Sequence, residues 1–289
     1  TGWLGILMRA FAALPMPVAH LIGASLGRIV GMFPNRSRDV TRRNLELCLP
    51  DLSSDERHRL ERRSLIETGK TLAETPRTWS AEPEEILAWV KSVSGESAVK
   101  QALSEKRGVI IAGPHLGAWE MIGLYLGAHY PITSLYRPPR NPALERLMTA
   151  GRERTGARLV PTDAKGVRAL FKRLAQGGMV GILPDQDPGY QAGVFAPFFG
   201  IPAVTMTLLS KLALKTGALV VVGFAERLPE GGYHIHLIPV DDAIYDPDPT
   251  VSATALNRAV EQAVRRCPEQ YQWSYKRFRR RQEGEDGLY

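Results

Sequence analysis

The sequence predicts an α/β fold in which a mixed, largely parallel central sheet is flanked by helices. Three observations predict it. Short apolar runs with the length and composition of strands occur at residues 108–114, 132–136, 158–161, 179–183, 218–226 and 233–240. Helical patterns separate most of these runs, and strand–helix alternation is typical of parallel sheets. The chain has 289 residues, 44% of them hydrophobic, which is enough to bury such a core.

The amino-terminal segment, residues 1–34, is mostly apolar. Its charged residues are Arg9 and Arg28, and Pro15 and Pro17 interrupt it. A spanning helix needs about twenty consecutive apolar residues. The broken pattern therefore favours helices lying in a membrane interface, or one broken hydrophobic anchor. The alternative is a pair of helices in a soluble core. We predict a boundary here, with the main domain at 35–281 and a tail at 282–289.

The remaining helices follow from capping signals and apolar spacing. They are predicted at residues 51–75, 97–105, 117–127, 142–155, 165–176, 204–216 and 251–266. Ser53 or Ser54 caps the first, and Pro76 is expected to follow its end. Asn141 caps the fourth, with Pro142 in its first turn.

Charge and cysteine content narrow the function classes. A net charge of +7 favours anionic partners such as nucleic acid, anionic lipid or acidic proteins. The two cysteines lack metal-binding spacing, so we predict neither a zinc site nor a disulfide framework. In residues 268–281, aromatic and basic residues alternate. This segment is typical of RNA binding or of an anionic membrane surface, and the apolar amino terminus favours the membrane.

The sharpest candidate site is the stretch GPHLGAWE, residues 113–120. His115 lies just past a buried strand, where α/β folds place their ligand sites. Glu120 follows five residues later, and the flexible Gly117 lets a turn bring the two together. A carboxylate on one imidazole nitrogen leaves the other free to take a proton from a hydroxyl. Since no GxSxG elbow follows a predicted strand, a serine acyl-enzyme is disfavoured.

Other candidate binding residues also follow strands. Arg137 and Arg140 follow the strand at 132–136 and are expected to hold a phosphate or carboxylate. Asp185 follows the strand at 179–183 and is expected to position the surroundings of His115 or an arginine. Aromatic residues in the loop beyond it form a predicted apolar wall for an acyl chain: Phe195, Phe198 and Phe199. The alternative for these three side chains is core packing.

Four stretches together resemble the lipid A biosynthesis acyltransferases, the late lauroyl and myristoyl transferases of Gram-negative bacteria. They are GVIIAGPHLGAWE, YRPPRNPALE, LPDQDPGYQAGVFAPFFGIPA and PEQYQWSYKRF, and their order matches that family. The family lies within the lysophospholipid acyltransferase superfamily, whose diagnostic motif is a histidine, four residues and an acid. Here the motif is His115 to Glu120. The resemblance covers the chain to about residue 281.

The resemblance implies a membrane-associated O-acyltransferase. His115 would act as general base on a lipid A precursor hydroxyl, oriented by Glu120, and the donor would be a thioester on acyl carrier protein. Arg137 or Arg140 would bind an anionic acceptor group. Asp185 stands where the superfamily usually has glutamate, so a phosphate-binding role does not carry over to it.

No cofactor, metal or nucleic acid is implied, and the expected location is the cytoplasmic face of the inner membrane. The alternatives are another lipid acceptor (a glycolipid, phospholipid or ornithine lipid), hydrolysis of the thioester or ester, or a non-catalytic basic protein that binds membrane or RNA.

Overall fold

A computed structural model describes residues 3–289. Its helices are α1 (Trp3–Ala12), α2 (Met16–Met32), α3 (Arg36–Cys48), α4 (Ser54–Ser80), α5 (Pro83–Trp89), α6 (Glu96–Ser104), α7 (Trp119–His129), α8 (Pro142–Glu153), α9 (Ala164–Ala175), α10 (Leu208–Thr216) and α11 (Pro249–Val264). Its strands are β1 (Val90–Ser94), β2 (Val109–Ala112), β3 (Ile132–Tyr136), β4 (Arg158–Pro161), β5 (Met179–Ile182), β6 (Gly193–Phe198), β7 (Ile201–Met206), β8 (Leu219–Arg227) and β9 (Tyr233–Pro239). Short 3₁₀ helices cover Asp242–Tyr245 and Pro268–Gln270.

The central sheet has seven strands in the order β1-β9-β8-β2-β5-β3-β4. Strands β2, β3, β4, β5 and β8 are parallel, and β9 runs antiparallel to β8. The predicted mixed, largely parallel sheet flanked by helices is therefore confirmed, and all six predicted strands belong to it. Strand β1 was missing from the prediction because its alternating, mostly exposed residues occupy the sheet's edge.

Burial on both faces explains why the central strands are continuous apolar runs. Every residue of β2 and β5 is buried. One hydrophobic cluster joins the sheet to α9, α10 and α11, and a second joins its other face to α6 and α7. Because β2, β3, β5 and β8 are parallel, the residues that follow them lie along one edge of the sheet.

The amino-terminal helices pack on α4. Helices α2 and α4 approach closely, since a Cβ atom added at Gly23 would lie 2.4 Å from the carbonyl oxygen of Gly69. Large apolar side chains of α1, α2 and the turn after α2 remain exposed, among them Ile6, Leu21, Leu26, Ile29, Met32 and Phe33. Within residues 3–289, no single helix has the length and composition of a membrane span; α2 and α3 meet the criteria only as a pair, bent by 82°.

Two predicted boundaries are wrong. Helix α4 continues through Pro76 to Ser80 instead of ending before the proline. Packing of α1 and α8 on this part of α4 outweighs the lost backbone hydrogen bond. The region between Gly193 and Met206, predicted as a loop leading into a helix, is instead the antiparallel β6–β7 hairpin. Phe199 and Gly200 both have positive φ at its turn, as tight hairpins require.

The carboxyl-terminal segment is not a basic surface tail. Trp273 is 1% exposed and belongs to the core, whereas the sequence placed it at a membrane interface. Arg277 is buried and donates to the carbonyl oxygen of Val204. Arg279 and Arg280 both pair with Asp187. These arginines therefore have partners inside the fold, and membrane binding by this segment stays a prediction.

Candidate active site

The carboxyl edge of the sheet brings together residues that are far apart in the sequence. His115 follows β2, Asp185 follows β5 and Arg137 follows β3. Strand β5 lies between β2 and β3, so the loops after these three strands are neighbours. Helix α4 crosses this edge and supplies one wall of a cleft there. Strand ends therefore concentrate the polar chemistry of the chain at one place.

The loop that carries His115 depends on a glycine. Gly117 has φ 65°, and a Cβ atom at this position would lie 2.0 Å from the carbonyl oxygen of Ala225. A residue with a side chain would push the loop off β8. The backbone amide of Gly117 donates to the carbonyl oxygen of Gln270, and that of Ala118 donates to Ala225. Helix α7 therefore starts only at Trp119, after a fixed left-handed turn.

Asp185 holds His115 at two points. One carboxylate oxygen accepts from the backbone amide of His115 at 2.9 Å, and the other contacts the ring Nδ1 at 2.9 Å. Burial acts to raise the pKa of Asp185, but the charge and hydrogen bonds of His115 outweigh it, so that pKa is lowered. An ionised Asp185 can only accept, so the Nδ1 carries the proton. The Nε2 then presents its lone pair.

The side chain of Gln186 lies against the second ring nitrogen of His115, and Gln272 holds that side chain. The side-chain amide nitrogen of Gln186 lies 3.3 Å from Nε2 of His115 and 3.3 Å from Oε1 of Gln272. The backbone amide of Gln272 donates to the carbonyl oxygen of His115 at 3.1 Å. An amide N–H can donate to the lone pair of Nε2, and a hydroxyl that took its place would donate there in the same way. This is the geometry of a general base.

Glu120 has a different partner from the one the motif predicts. Its two carboxylate oxygens accept from Nε and Nη2 of Arg152 at 2.8 and 2.7 Å. The sequence predicts that Glu120 orients His115, but in the structure Asp185 makes that contact. The physical reason is packing: α7 and α8 lie side by side, which brings the guanidinium of Arg152 to Glu120. The same guanidinium lies 5.1 Å from the ring centroid of Trp119.

Two cavities meet at this ion pair. The cleft beside His115 has a volume of about 310 Å³, and its lining includes Trp79, His115, Trp119, Glu120, Arg152, Gln270 and Gln272. A narrow, mainly apolar cavity of about 70 Å³ lies between α7, α8 and the sheet. Trp119, Glu120 and Arg152 line both cavities. Within residues 3–289, no cluster of three or more His, Cys, Asp or Glu side chains is arranged to hold a metal ion.

The other predicted residues divide into two groups. Arg137 and Arg140 are exposed at the carboxyl edge, and neither makes an ion pair within residues 3–289. The phenylalanines are not among the residues that line the cleft or the apolar cavity. Phe198 is buried in the main core against Phe199, and Phe195 contacts Tyr190.

Sequence reasoning missed a buried network that supports the loop of His115. Arg227, at the end of β8, donates from Nη2 to the carbonyl oxygen of Gly117 at 3.0 Å. Its guanidinium also pairs with Glu74 and Glu67 of α4, and Glu74 contacts His20 of α2. Buried charges in proteins are normally paired, so the arginine at the end of an apolar strand was the available signal. The network connects the amino-terminal helices to the loop of His115.

The chain is similar in sequence to known proteins over nearly its whole length. The sequence profile described as bacterial lipid A biosynthesis acyltransferase matches residues 1–280. The chain is 32% identical over 290 residues to the lipid A biosynthesis lauroyltransferase of Escherichia coli (strain K12), covering 99% of this chain and 94% of that protein. It is 31% identical over 292 residues to the lipid A biosynthesis palmitoleoyltransferase of the same organism, with the same coverage. It is also 32% identical over 285 residues to a lipid A biosynthesis acyltransferase of Haemophilus influenzae, covering 96% and 90%.

Proposed function

Since this chain belongs to the bacterial lipid A biosynthesis acyltransferase family and is therefore an enzyme that transfers acyl groups, we propose that it moves a fatty acyl group from acyl carrier protein to a hydroxyl of a lipid A precursor. The observation that carries the proposal is the pairing of His115 with Asp185. It leaves the Nε2 of His115 as a base that faces a cleft large enough for a substrate hydroxyl and a thioester.

The reaction balances without a cofactor. The acceptor hydroxyl occupies the position that the Gln186 amide fills and gives its proton to Nε2 of His115. Its oxygen forms a bond to the thioester carbonyl carbon, and the tetrahedral intermediate then loses the sulfur. The imidazolium returns the proton to the departing thiolate. Asp185 stabilises the imidazolium in between, because it stays ionised.

Glu120 fits a positioning role within this reaction. It acts through Arg152, whose guanidinium lies against Trp119 at the boundary between the two cavities. The Glu120–Arg152 pair thereby fixes the wall that separates the reacting carbonyl from the rest of the acyl chain. Because a bidentate arginine–carboxylate pair is rigid, the wall stays in place when substrates enter.

The apolar cavity between α7 and the sheet is the proposed place for the donor acyl chain. Its lining includes Ile122, Gly123, Leu126, Leu135 and Leu159. Acyl chains need such a mostly apolar pocket, and this one opens at the same boundary residues as the cleft. An acyl chain would widen it by separating α7 from α8. Phe195, Phe198 and Phe199, the wall proposed from the sequence, lie outside its lining.

The acceptor is the proposed ligand of the two exposed arginines. Arg137 and Arg140 lie at the edge of the sheet that carries His115 and have no competing ion pair within residues 3–289. Arginine recognises phosphate through paired N–H donors. A phosphorylated lipid A precursor bound there would present its fatty-acyl hydroxyls towards the cleft.

Segment 1–34 is the proposed membrane-associating unit, on the cytoplasmic face of the inner membrane. Leu21 and Ile29 are exposed on the side of α2 that faces away from α4, since Gly23 and Gly27 make the close contact with α4. Apolar side chains of an interfacial helix enter the headgroup region. Leu21→Glu with Ile29→Glu should lower co-sedimentation with anionic vesicles, whereas Thr250→Glu with Val251→Glu, an equal charge change at exposed positions of α11, should not.

The decisive experiment is mass spectrometry of a defined reaction. It contains the purified protein, acyl carrier protein loaded with lauroyl, myristoyl or palmitoleoyl groups, and a tetra-acylated or penta-acylated lipid A precursor. We expect acylated lipid with the wild-type protein and none with His115→Ala. A folded wild-type protein that acylates no lipid with any of these donors would overturn the proposal. Free fatty acid in place of acylated lipid would indicate a hydrolase.

A further inference from the structure

Helices α9 and α10 form a surface of one charge sign. They lie next to each other on the sheet face opposite α6 and α7, and neither contains an acidic residue. Their exposed cations are Lys165, Arg168, Lys172, Lys211 and Lys215. Within residues 3–289 none of these five makes an ion pair. We call this surface the basic helix face.

This surface differs from two other basic stretches of the chain. Arg38 and Arg42 of α3 pair with the buried Glu61, and Arg279 and Arg280 pair with Asp187. The fold therefore uses those cations internally. The basic helix face instead projects its charges into solvent, where they contribute to the electrostatic potential that a partner meets.

Two large apolar side chains lie among these charges. Phe171 of α9 is 43% exposed and Leu214 of α10 is 46% exposed. Cations around a small apolar centre are typical of a protein–protein interface, in which charges steer the encounter and the apolar contact holds it.

The position of the face suits the delivery of a substrate. Helix α9 starts three residues after β4 ends, so its first two turns, with Lys165 and Arg168, lie near the carboxyl edge of the sheet. Helix α10 also runs away from that edge, since β8 begins at the opposite edge directly after it. His115 lies at the carboxyl edge too, so a carrier docked at the first turns of α9 and α10 would lie at the edge of the sheet that carries the cleft.

We infer that the basic helix face docks the acidic acyl carrier protein that delivers the acyl thioester, an inference that rests on the proposed function. The charge of the face complements an acidic helical partner. A membrane fits it less well, because the exposed large apolar side chains are concentrated on α1 and α2, which pack on α4 and not on this face.

The test compares two donors that carry the same acyl group. One is lauroyl–acyl carrier protein and the other is lauroyl-pantetheine, which has the thioester but no protein. The variant is Arg168→Glu with Lys172→Glu and Lys211→Glu. The control is Arg59→Glu with Arg62→Glu and Arg63→Glu, which changes the net charge equally at exposed positions of α4. Thermal melting confirms that both variants are folded.

We expect the variant to raise KM for lauroyl–acyl carrier protein by about tenfold or more, with kcat changed less than twofold. Its kinetics with lauroyl-pantetheine should match those of the wild type, and the control should match with both donors. Three outcomes would overturn the inference: an unchanged KM for the carrier, an equal loss with both donors, or lost vesicle binding with normal carrier kinetics, which would assign the face to the membrane. A wild-type protein inactive with both donors would instead overturn the proposed function.

Discussion

Two carboxylate pairs lie beside one cleft, and they are built in different ways. Asp185 pairs with His115 across two loops that the parallel strands β5 and β2 place side by side. Glu120 pairs with Arg152 between two helices on the outer side of the sheet. The first pair leaves the Nε2 of His115 facing the position proposed for the acceptor hydroxyl. The second pair holds the guanidinium of Arg152 against the ring of Trp119. The acidic residue that is closest to His115 in the sequence is therefore not the one that contacts its ring.

The strongest way to test the first pair is to remove its base. His115→Ala should lower kcat by roughly 10²–10⁴-fold, because general base catalysis contributes about that much. The fold should persist, since His115 lies in a loop at the cleft and not in the core. His58→Ala, at an exposed position of α4, is the matched control and should keep full activity. Wild-type turnover by a folded His115→Ala protein would contradict the assignment.

A double-mutant cycle tests the second pair. Glu120→Ala and Arg152→Ala should each lower the free energy of unfolding by about 2–3 kcal/mol, because each leaves a largely buried charge without its partner. The double variant should cost clearly less than the sum of the two. Urea unfolding of all four proteins measures this. Strict additivity would show that the pair does not stabilise the protein.

The exposed arginines should affect acceptor binding alone. Arg137→Ala with Arg140→Ala should raise KM for the phosphorylated acceptor by roughly tenfold or more, since even one charge-assisted hydrogen bond contributes about 1.5–3 kcal/mol. The KM for the acyl donor should not change. A larger effect on the donor than on the acceptor would move the acceptor site elsewhere.

The smallest expected effect concerns chain length. A Cβ atom at Gly123 would meet no atom within 4 Å, so Gly123→Leu fills the apolar cavity without a backbone clash. We expect a severalfold shift in donor preference towards shorter acyl chains. Phe195→Ala, which lies outside this cavity, should leave the preference unchanged. A changed preference in Phe195→Ala, with none in Gly123→Leu, would instead support the phenylalanine wall that the sequence predicts.

The sequence predicted those parts of the fold and site that depend on local patterns. Apolar runs located the six predicted strands, and the position after a strand located His115, Arg137 and Asp185. The order of the strands depends on contacts between distant parts of the chain. The sequence alone therefore does not show that β5 lies beside β2 and brings Asp185 to His115. The partner of Glu120 depends on how α7 packs on α8, and the alternating aromatic and basic residues before Arg281 give no sign that Trp273 enters the core.

The most direct test of the account compares Asp185→Asn with Glu120→Gln, two substitutions that each remove one charge and keep the side-chain shape. Single-turnover acyl transfer with saturating lauroyl–acyl carrier protein and lipid A precursor measures the chemical step. The account predicts a loss of roughly 10²-fold or more for Asp185→Asn, because His115 loses the anion that stabilises its imidazolium. It predicts a loss of about tenfold or less for Glu120→Gln. A larger loss for Glu120→Gln, with both proteins folded, would contradict the account and return the role of orienting His115 to Glu120.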